Sequence, residues 1–227
     1  MIMPYVSGDI DRAEKVLRPF RDTLKPIIDK SVSLPDMFAV SHIADGNFEN
    51  TPSRLNVQCA ITSDIWTDTA LEVWDRWCKF TENDDCKQTL VIWEIGRPDK
   101  IAEVGKADTA FHVRDPHYGV IIRGGYVKCS SSLFYLGPLE LIIYCSNRLP
   151  ASDEGTRTFV SSIVDYIRKA DALKTNNDLG FAFNFAAGDE APEDVFGDNL
   201  PRLRKVKAKY DPTNVWSKGL VIEPDFD

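Results

Sequence analysis

Apolar residues recur along this chain at two spacings, every third or fourth position in some stretches and every second in others, and the spacing separates helices from strands. Leu55–Ile61 alternates as a half-buried strand does, and the run QTLVIWEI (Gln88–Ile95) is a strand by its β-branched and aromatic content, stopped by Gly96 and Pro98. Lys106–Arg114 leads into a further strand, Tyr118–Tyr126 forms the next, broken at Gly124-Gly125, and Leu179–Phe185 the last. Met1–Tyr5 is apolar enough for a strand, although no turn precedes it. Helical spacing appears after Ser7, a capping residue followed by Asp9 and Asp11, with Ile10, Ala13, Leu17 and Phe20 as the buried stripe and Pro19 and Pro26 as the end. Ser63 caps a second helix through Phe80, and Ser152 a long third one to about Ala170, with Phe159, Ile163, Ile167 and Ala170 inward. Pro35–His42 is ambiguous, and Asp45–Pro52 is loop. Strands and helices interleave irregularly, so the fold class is α+β, an antiparallel or mixed β-sheet with helices packed on one face.

The second helix carries Trp66, Ala70, Trp74, Trp77 and Phe80 on its apolar face. Such a stripe is a core face or a stacking platform for sugars or bases, and packing against a sheet is the simpler reading. Near the C-terminus, FNFAAGDEAPEDVFGDNLPRLRKVKAKYDPTNVW (Phe183–Trp216) reads as a strand end, an acidic loop, a short amphipathic helix and an abrupt stop. Asp198 or Asn199 can cap that helix, and Pro201 suits its first turn. Leu200, Leu203, Val206 and Tyr210 make the apolar face, with Arg202, Arg204, Lys205, Lys207 and Lys209 facing away, and Pro212 forbids continuation.

Composition narrows the function. A chain of 227 residues with 43% hydrophobic and 27% charged residues is ordinary for a soluble globular protein. Its net charge of -8 argues against a nucleic-acid partner, which needs a basic face. The basic helix near the C-terminus is the local exception and reads as a solvated or docking face. The five cysteines, Cys59, Cys78, Cys86, Cys129 and Cys145, form no CxxC pair, so no metal site is expected and reduced thiols are the simplest state. MIMPYVSGDID has no charged lead or long apolar run, so neither signal peptide nor membrane span is expected and the chain reads as cytoplasmic as it stands.

Residues Asn184-Phe185, Asn199, Arg202-Leu203, Lys207, Lys209-Tyr210-Asp211-Pro212, Asn214 and Trp216 follow a spaced pattern that resembles the C-terminal segment of the berberine-bridge-enzyme-like, FAD-linked oxidoreductases. Thr109-Ala110-Phe111-His112-Val113-Arg114, Tyr118-Gly119-Val120 and the helical stretch Ala13-Glu14-Lys15-Val16-Leu17 are similar to runs in that family's substrate domain. The resemblance implies a substrate-binding-type domain over residues 1–180 and a berberine-bridge-type C-terminal segment over 181–227. It implies FAD, a small-molecule substrate of phenolic, alkaloid, sugar or polyketide type, and proton removal coupled to hydride transfer, with reoxidation by dioxygen. It also implies a separate FAD-binding domain, because the covalent flavin attachment residues and glycine-rich phosphate loops of the family have no counterpart here. His42, His112 and His117 all fall in the substrate half. The chain is therefore expected to be redox-inactive alone; the alternatives are a flavin-independent cyclase or pericyclase and a non-catalytic remnant.

Candidate residues follow from the same resemblance, which places the inward side chains of the sheet over the flavin. Glu94 and His112 are the acid–base candidates; Arg114, Tyr118 and Arg123 would line the substrate; Asn184 would meet a flavin once a flavin domain is supplied. A strand histidine is also commonly structural, and Arg114 could instead pair with Asp115 or Asp108. Ala182 stands where many members have a tyrosine two residues before the Asn. Residues 127–150, VKCSSSLFYLGPLELIIYCSNRLP, have no place in the family pattern. They read either as a hairpin that reshapes the pocket or as translated intron sequence, which a comparison of cDNA with genomic sequence separates.

Overall fold

The structure, a computed structural model, describes residues 2–43, 55–83, 86–87, 89–125, 150–186, 188 and 190–227. The Asp45–Pro52 loop and nearly all of the atypical stretch 127–150 lie outside them. The chain divides into two compact units, Met1–Pro52 with Lys128–Ile142, and Ser53–Val127 with Ile143–Asp227.

In the first unit, α1 (Ile10–Leu24) begins at Asp9, whose carboxylate accepts the Arg12 amide at 2.8 Å, so Asp9 and not Ser7 is the cap. Pro19 lies inside α1, and the helix ends at Lys25 in the left-handed region at φ 44°. Residues 2–7 form no strand. The ambiguous stretch contains α2 (Met37–Ser41), capped by Asp36 through the Ala39 amide at 2.8 Å. The stripe expected to be buried is not: Ile10 is 71% exposed, and no described residue of this unit is buried. Helical spacing reveals which face is apolar, not that anything covers it.

The second unit holds the sheet. Strands β1 (Leu55–Thr62), β2 (Leu90–Glu94) and β3 (Tyr118–Gly125) pair antiparallel in the order β1-β3-β2. Helices α3 (Thr67–Thr81) and α5 (Pro150–Thr175) supply the layer on one face, and the one-turn α4 (Asp99–Ala102) follows β2. Side chains alternate across a strand, so the register sorts them. Ala60, Val120 and Trp93 form one row toward the helices, and Gln58, Ile122 and Val91 the next. They meet Val73 of α3 and Val160, Ile163, Val164 and Ile167 of α5 in the main core. Gln58 donates to Ser161 Oγ at 3.1 Å, and the Phe80 and Phe159 rings stack at 3.8 Å between the two helices.

Several expected elements move. α3 starts at Trp66 with no side-chain cap, because Ser63 is used elsewhere: its amide and hydroxyl both donate to Oδ1 of the buried Asp171, at 2.9 and 2.6 Å. The Trp66 indole donates to the same oxygen at 2.7 Å, and the Thr62 hydroxyl, also 2.8 Å from the Asp64 carbonyl, lies 3.0 Å away. The inward positions of α3 are Thr69 and Val73, with Trp74 55% exposed and Trp77 donating to the Thr89 carbonyl at 2.9 Å. The tryptophans thus edge the core instead of filling it. α5 begins at Pro150, before Ser152, and runs to Thr175. Lys106–Arg114 is a chain of turns rather than a strand, and Leu179–Phe185 is a single bridge, Phe181 to Ala60, followed by a 3-10 turn over Phe183–Phe185.

Gly124 does not break β3; it pairs with Asn56 inside the strand. A Cβ there would lie 2.4 Å from Thr156 Cγ2 on α5. The glycine lets helix and sheet approach closely. Gly124→Ala is expected to destabilise by roughly 1–3 kcal/mol through overpacking, read as a lower denaturant midpoint at unchanged slope.

Candidate functional site

The face of the sheet away from α3 and α5 carries three rows: Val57, Arg123 and Leu90; Cys59, Ile121 and Ile92; Ile61, Gly119 and Glu94. Glu94 is exposed at the end of β2. Its neighbour across the ladder is Gly119, and a Cβ on that glycine would sit 3.6 Å from Glu94 Oε2 and 3.7 Å from Cys59 Sγ, in ordinary contact with both. Gly119 therefore leaves a methyl-sized space beside the carboxylate. Cys59 is buried, and burial pushes its thiol up to about 11, against a downward pull from the hydrogen bond with the Val120 backbone and with a smaller upward push from Glu94. Such a thiol stays protonated and is a poor nucleophile. Along β3 the rows of Glu94 and Arg123 are roughly 13 Å apart, so the two share a face at opposite ends of the strand.

Not all the expected side chains join them. Tyr118 pairs with Thr62 and so belongs to the helix-facing rows, opposite Glu94. Arg114 turns back on its own loop, donating to Thr109 Oγ1 and lying 5.3 Å over the Phe111 ring, and neither Asp108 nor Asp115 takes it. Asp115 pairs with Lys106 at 2.8 Å instead. Asn184 is exposed in the 3-10 turn. His112 is packed against Gly197 and Gly180: a Cβ on Gly197 would lie 2.7 Å from its ring, and one on Gly180 3.5 Å. Burial lowers its pKa, partly opposed by a hydrogen bond with the Val195 backbone, and Nδ1 is buried with no hydrogen-bond partner.

The family-like residues near the C-terminus have a physical purpose. Helices α6 (Pro192–Phe196) and α7 (Leu200–Tyr210) bury Val195, Phe196 and Leu200 with Leu203, Leu220 and Ile222. Asn199 stands at the start of α7 but does not cap it; its amide donates to the Lys106 and Thr109 carbonyls at 2.8 and 3.1 Å. Arg202 donates to the Ala107 carbonyl at 2.7 Å. The two clamp the turn that leads into Phe111–Val113, which packs with Leu179 and Ala182 against Ile61 at the edge of the Glu94 face. Thus two of the stretches that carry the resemblance touch each other.

At the other end of α7, the buried Asp211 accepts the Val215 and Trp216 amides at 2.7 and 3.1 Å and pairs with Lys207, while Asn214 reverses the chain at φ 53°. Lys207 is therefore committed to this stop and does not face away. Arg204 reaches Glu193 at 3.1 Å. Burial raises the Asp211 carboxyl, but Lys207 and the two amides outweigh it and hold its pKa below the ordinary 3.8. Both Asp211 and His112 have lowered folded-state values, so each contributes stability above its unfolded pKa and loses it as pH falls. Denaturation across pH is expected to show a first decline below 6.5, weakened in His112→Gln, and a second below 3.8, weakened in Asp211→Asn.

Sequence reasoning missed Cys59, Gly119 and Asp171. The alternation in β1 and β3 could have paired the first two with Glu94 once register was known. Nothing local marks Asp171, whose donors lie more than a hundred positions away. Among the described residues no helix is long and apolar enough to cross a membrane, and no group of three metal-ligating side chains forms.

Residues 182–222 match the family described as "Berberine and berberine like". Over 83 residues, 33% of this chain and 17% of the relative, the sequence is 41% identical to the FAD-linked oxidoreductase pgmH of Aspergillus terreus. The chain resembles the berberine-bridge-type FAD-linked oxidoreductases. The carbohydrate oxidase of Microdochium nivale, solved with a substrate analogue, shares the fold at TM-score 0.65 and 18% identity, over 96% of this chain and 44% of its own. The xylooligosaccharide oxidase of Myceliophthora thermophila C1, solved with xylobiose, matches at TM-score 0.62 and 18% identity over the same shares. The chain spans less than half the length of these solved relatives, and the α+β fold is the part they have in common with it.

Proposed function

We propose that these residues form the substrate-facing half of a berberine-bridge-type oxidoreductase: a wall over a flavin that a separate FAD-binding domain holds. The observation that carries this reading is the helix-free face of the sheet, where Glu94 stands exposed beside the space at Gly119, with Ile92 and Ile121 in the adjoining row. An exposed carboxylate beside the exposed Ile92 is suited to take a proton from a substrate C–H or O–H lying against it. Arg123 at the far end could hold a polar group of a long substrate, and His112, tied into the C-terminal segment, would position the Ile61 edge at the Glu94 end.

The described residues do not fit FAD as a whole. A dinucleotide needs backbone N–H groups converging on its pyrophosphate, commonly where glycines admit it. The glycines that pack tightly here serve the fold itself: a Cβ would run into Thr156 at Gly124, into the Asp194 carbonyl at Gly180 and into the His112 ring at Gly197. The reading is tested by co-expressing the chain with the FAD-binding half of the Aspergillus terreus relative. A one-to-one yellow complex is expected; two proteins that purify separately would refute the pairing.

A further inference from the structure

We propose that His112 is an acid-sensitive latch: when its ring takes up a proton, the C-terminal segment around α6 releases the turn over residues 106–113. The latch belongs to the second unit alone and would work with or without an FAD-binding half.

His112 lies in a seam between two small cores. Its chain neighbours Phe111 and Val113 pack with Ile61, Leu179 and Ala182. On the other side Val195 and Phe196 of α6 pack with Leu200. The ring fills the seam closely, since a Cβ on Gly197 would lie 2.7 Å from it and one on Gly180 3.5 Å. Across the same seam Asn199 donates to the Lys106 and Thr109 carbonyls, and Arg202 to the Ala107 carbonyl. Neither an amide nor a guanidinium changes charge near neutral pH, whereas an imidazole does.

The two ring nitrogens decide what a proton would do. The hydrogen bond with the Val195 backbone favours the charged ring, so the ring donates and the carbonyl accepts. Nδ1 is buried with no hydrogen-bond partner, so Nε2 carries the donated proton and Nδ1 keeps the lone pair. Protonation therefore places a new N–H and a positive charge in a buried position that offers no acceptor. Burial opposes the charged ring most; the Val195 carbonyl and then Asp198, just ahead of α7, favour it, and Lys106 opposes it. Lys106 is itself paired with Asp115, and Asp178, two residues before Gly180, with Arg168, so both carboxylates already hold a cation. Turning the ring to solvent removes the cost of charging it. That movement empties the space between Gly197 and Gly180 and parts the two cores. Because Ile61 stands in the row of Glu94, an open seam also loosens the end of the sheet face where that carboxylate sits.

Hydrogen exchange of the purified chain, read by mass spectrometry and corrected for the intrinsic pH dependence of exchange, tests the latch at about pH 7.5 and about pH 5.5, either side of the ordinary histidine value. Protection in peptides covering 106–113 and 192–200 is expected to fall about ten-fold or more at the lower pH, while peptides of β3 and α5 keep theirs. In His112→Gln, which cannot charge, the fall should vanish; in His117→Gln it should remain. If His112→Gln does not fold, the imidazole NMR signals of wild-type His42, His112 and His117 decide the matter, because the midpoint of the exchange change should follow His112. No fall, a fall shared equally by β3 and α5, or one that persists in His112→Gln overturns the latch, as does a midpoint that follows His42 or His117.

Discussion

Replacing Asp171 with alanine is expected to lower the unfolding free energy by roughly 3–5 kcal/mol, because at least two donors lose their acceptor inside the fold at roughly 1–3 kcal/mol each. The Ser63 amide and the Trp66 indole cannot turn elsewhere, whereas the Ser63 and Thr62 hydroxyls can rotate, Thr62 toward the Asp64 carbonyl. The carboxylate joins α5 to the corner between β1 and α3, so its loss separates the helix layer from the sheet rather than loosening a surface turn. Asp171→Asn keeps an oxygen in place but gives up the charge, and hydrogen bonds to ionised groups are about twice as strong as neutral ones. The order of stability should therefore be wild type, then Asn, then Ala, read from urea unfolding followed by tryptophan fluorescence.

The second large effect concerns chemistry. In the complex with an FAD-binding half, Glu94→Gln is expected to reduce kcat by roughly 10²–10⁴-fold, the usual contribution of a positioned general base, with little change in stability because the side chain is exposed. Gly119→Ala is the informative companion. Its Cβ fits without a clash, so an effect on turnover would arise from filling the space beside the carboxylate and should appear mainly in KM. Equal kcat in Glu94→Gln and wild type would remove Glu94 from the reaction.

How much of this could be read from the sequence depends on how local each cause is. β1, β2 and β3 were legible because alternation and β-branched content are local, and the stop at Pro212 because proline acts on its own residue. The Lys106–Arg114 and Leu179–Phe185 stretches have strand-like composition, yet their backbone groups are claimed by distant partners: Asn199 and Arg202 hold the first, and a single bridge to Ala60 the second. Ser63 looked like a helix cap because its competitor, Asp171, is remote in sequence. The candidate site was half legible. Glu94 and Arg123 do share a face, but Tyr118 is an even step along β3 from the helix-facing Val120, and only the register with β1 reveals that it belongs to the other side. On α7 the spacing identifies the apolar face but not what covers it, and Lys207 turns inward because its partner Asp211 lies one turn on.

The most direct test of the central claim is the visible spectrum of the 227-residue chain purified by itself from cells supplied with riboflavin, then mixed with excess FAD and desalted. A colourless protein with no absorbance near 450 nm is the predicted result. Stoichiometric flavin remaining with the folded chain would mean that these residues hold the cofactor unaided, and the account of a wall without a floor would be wrong.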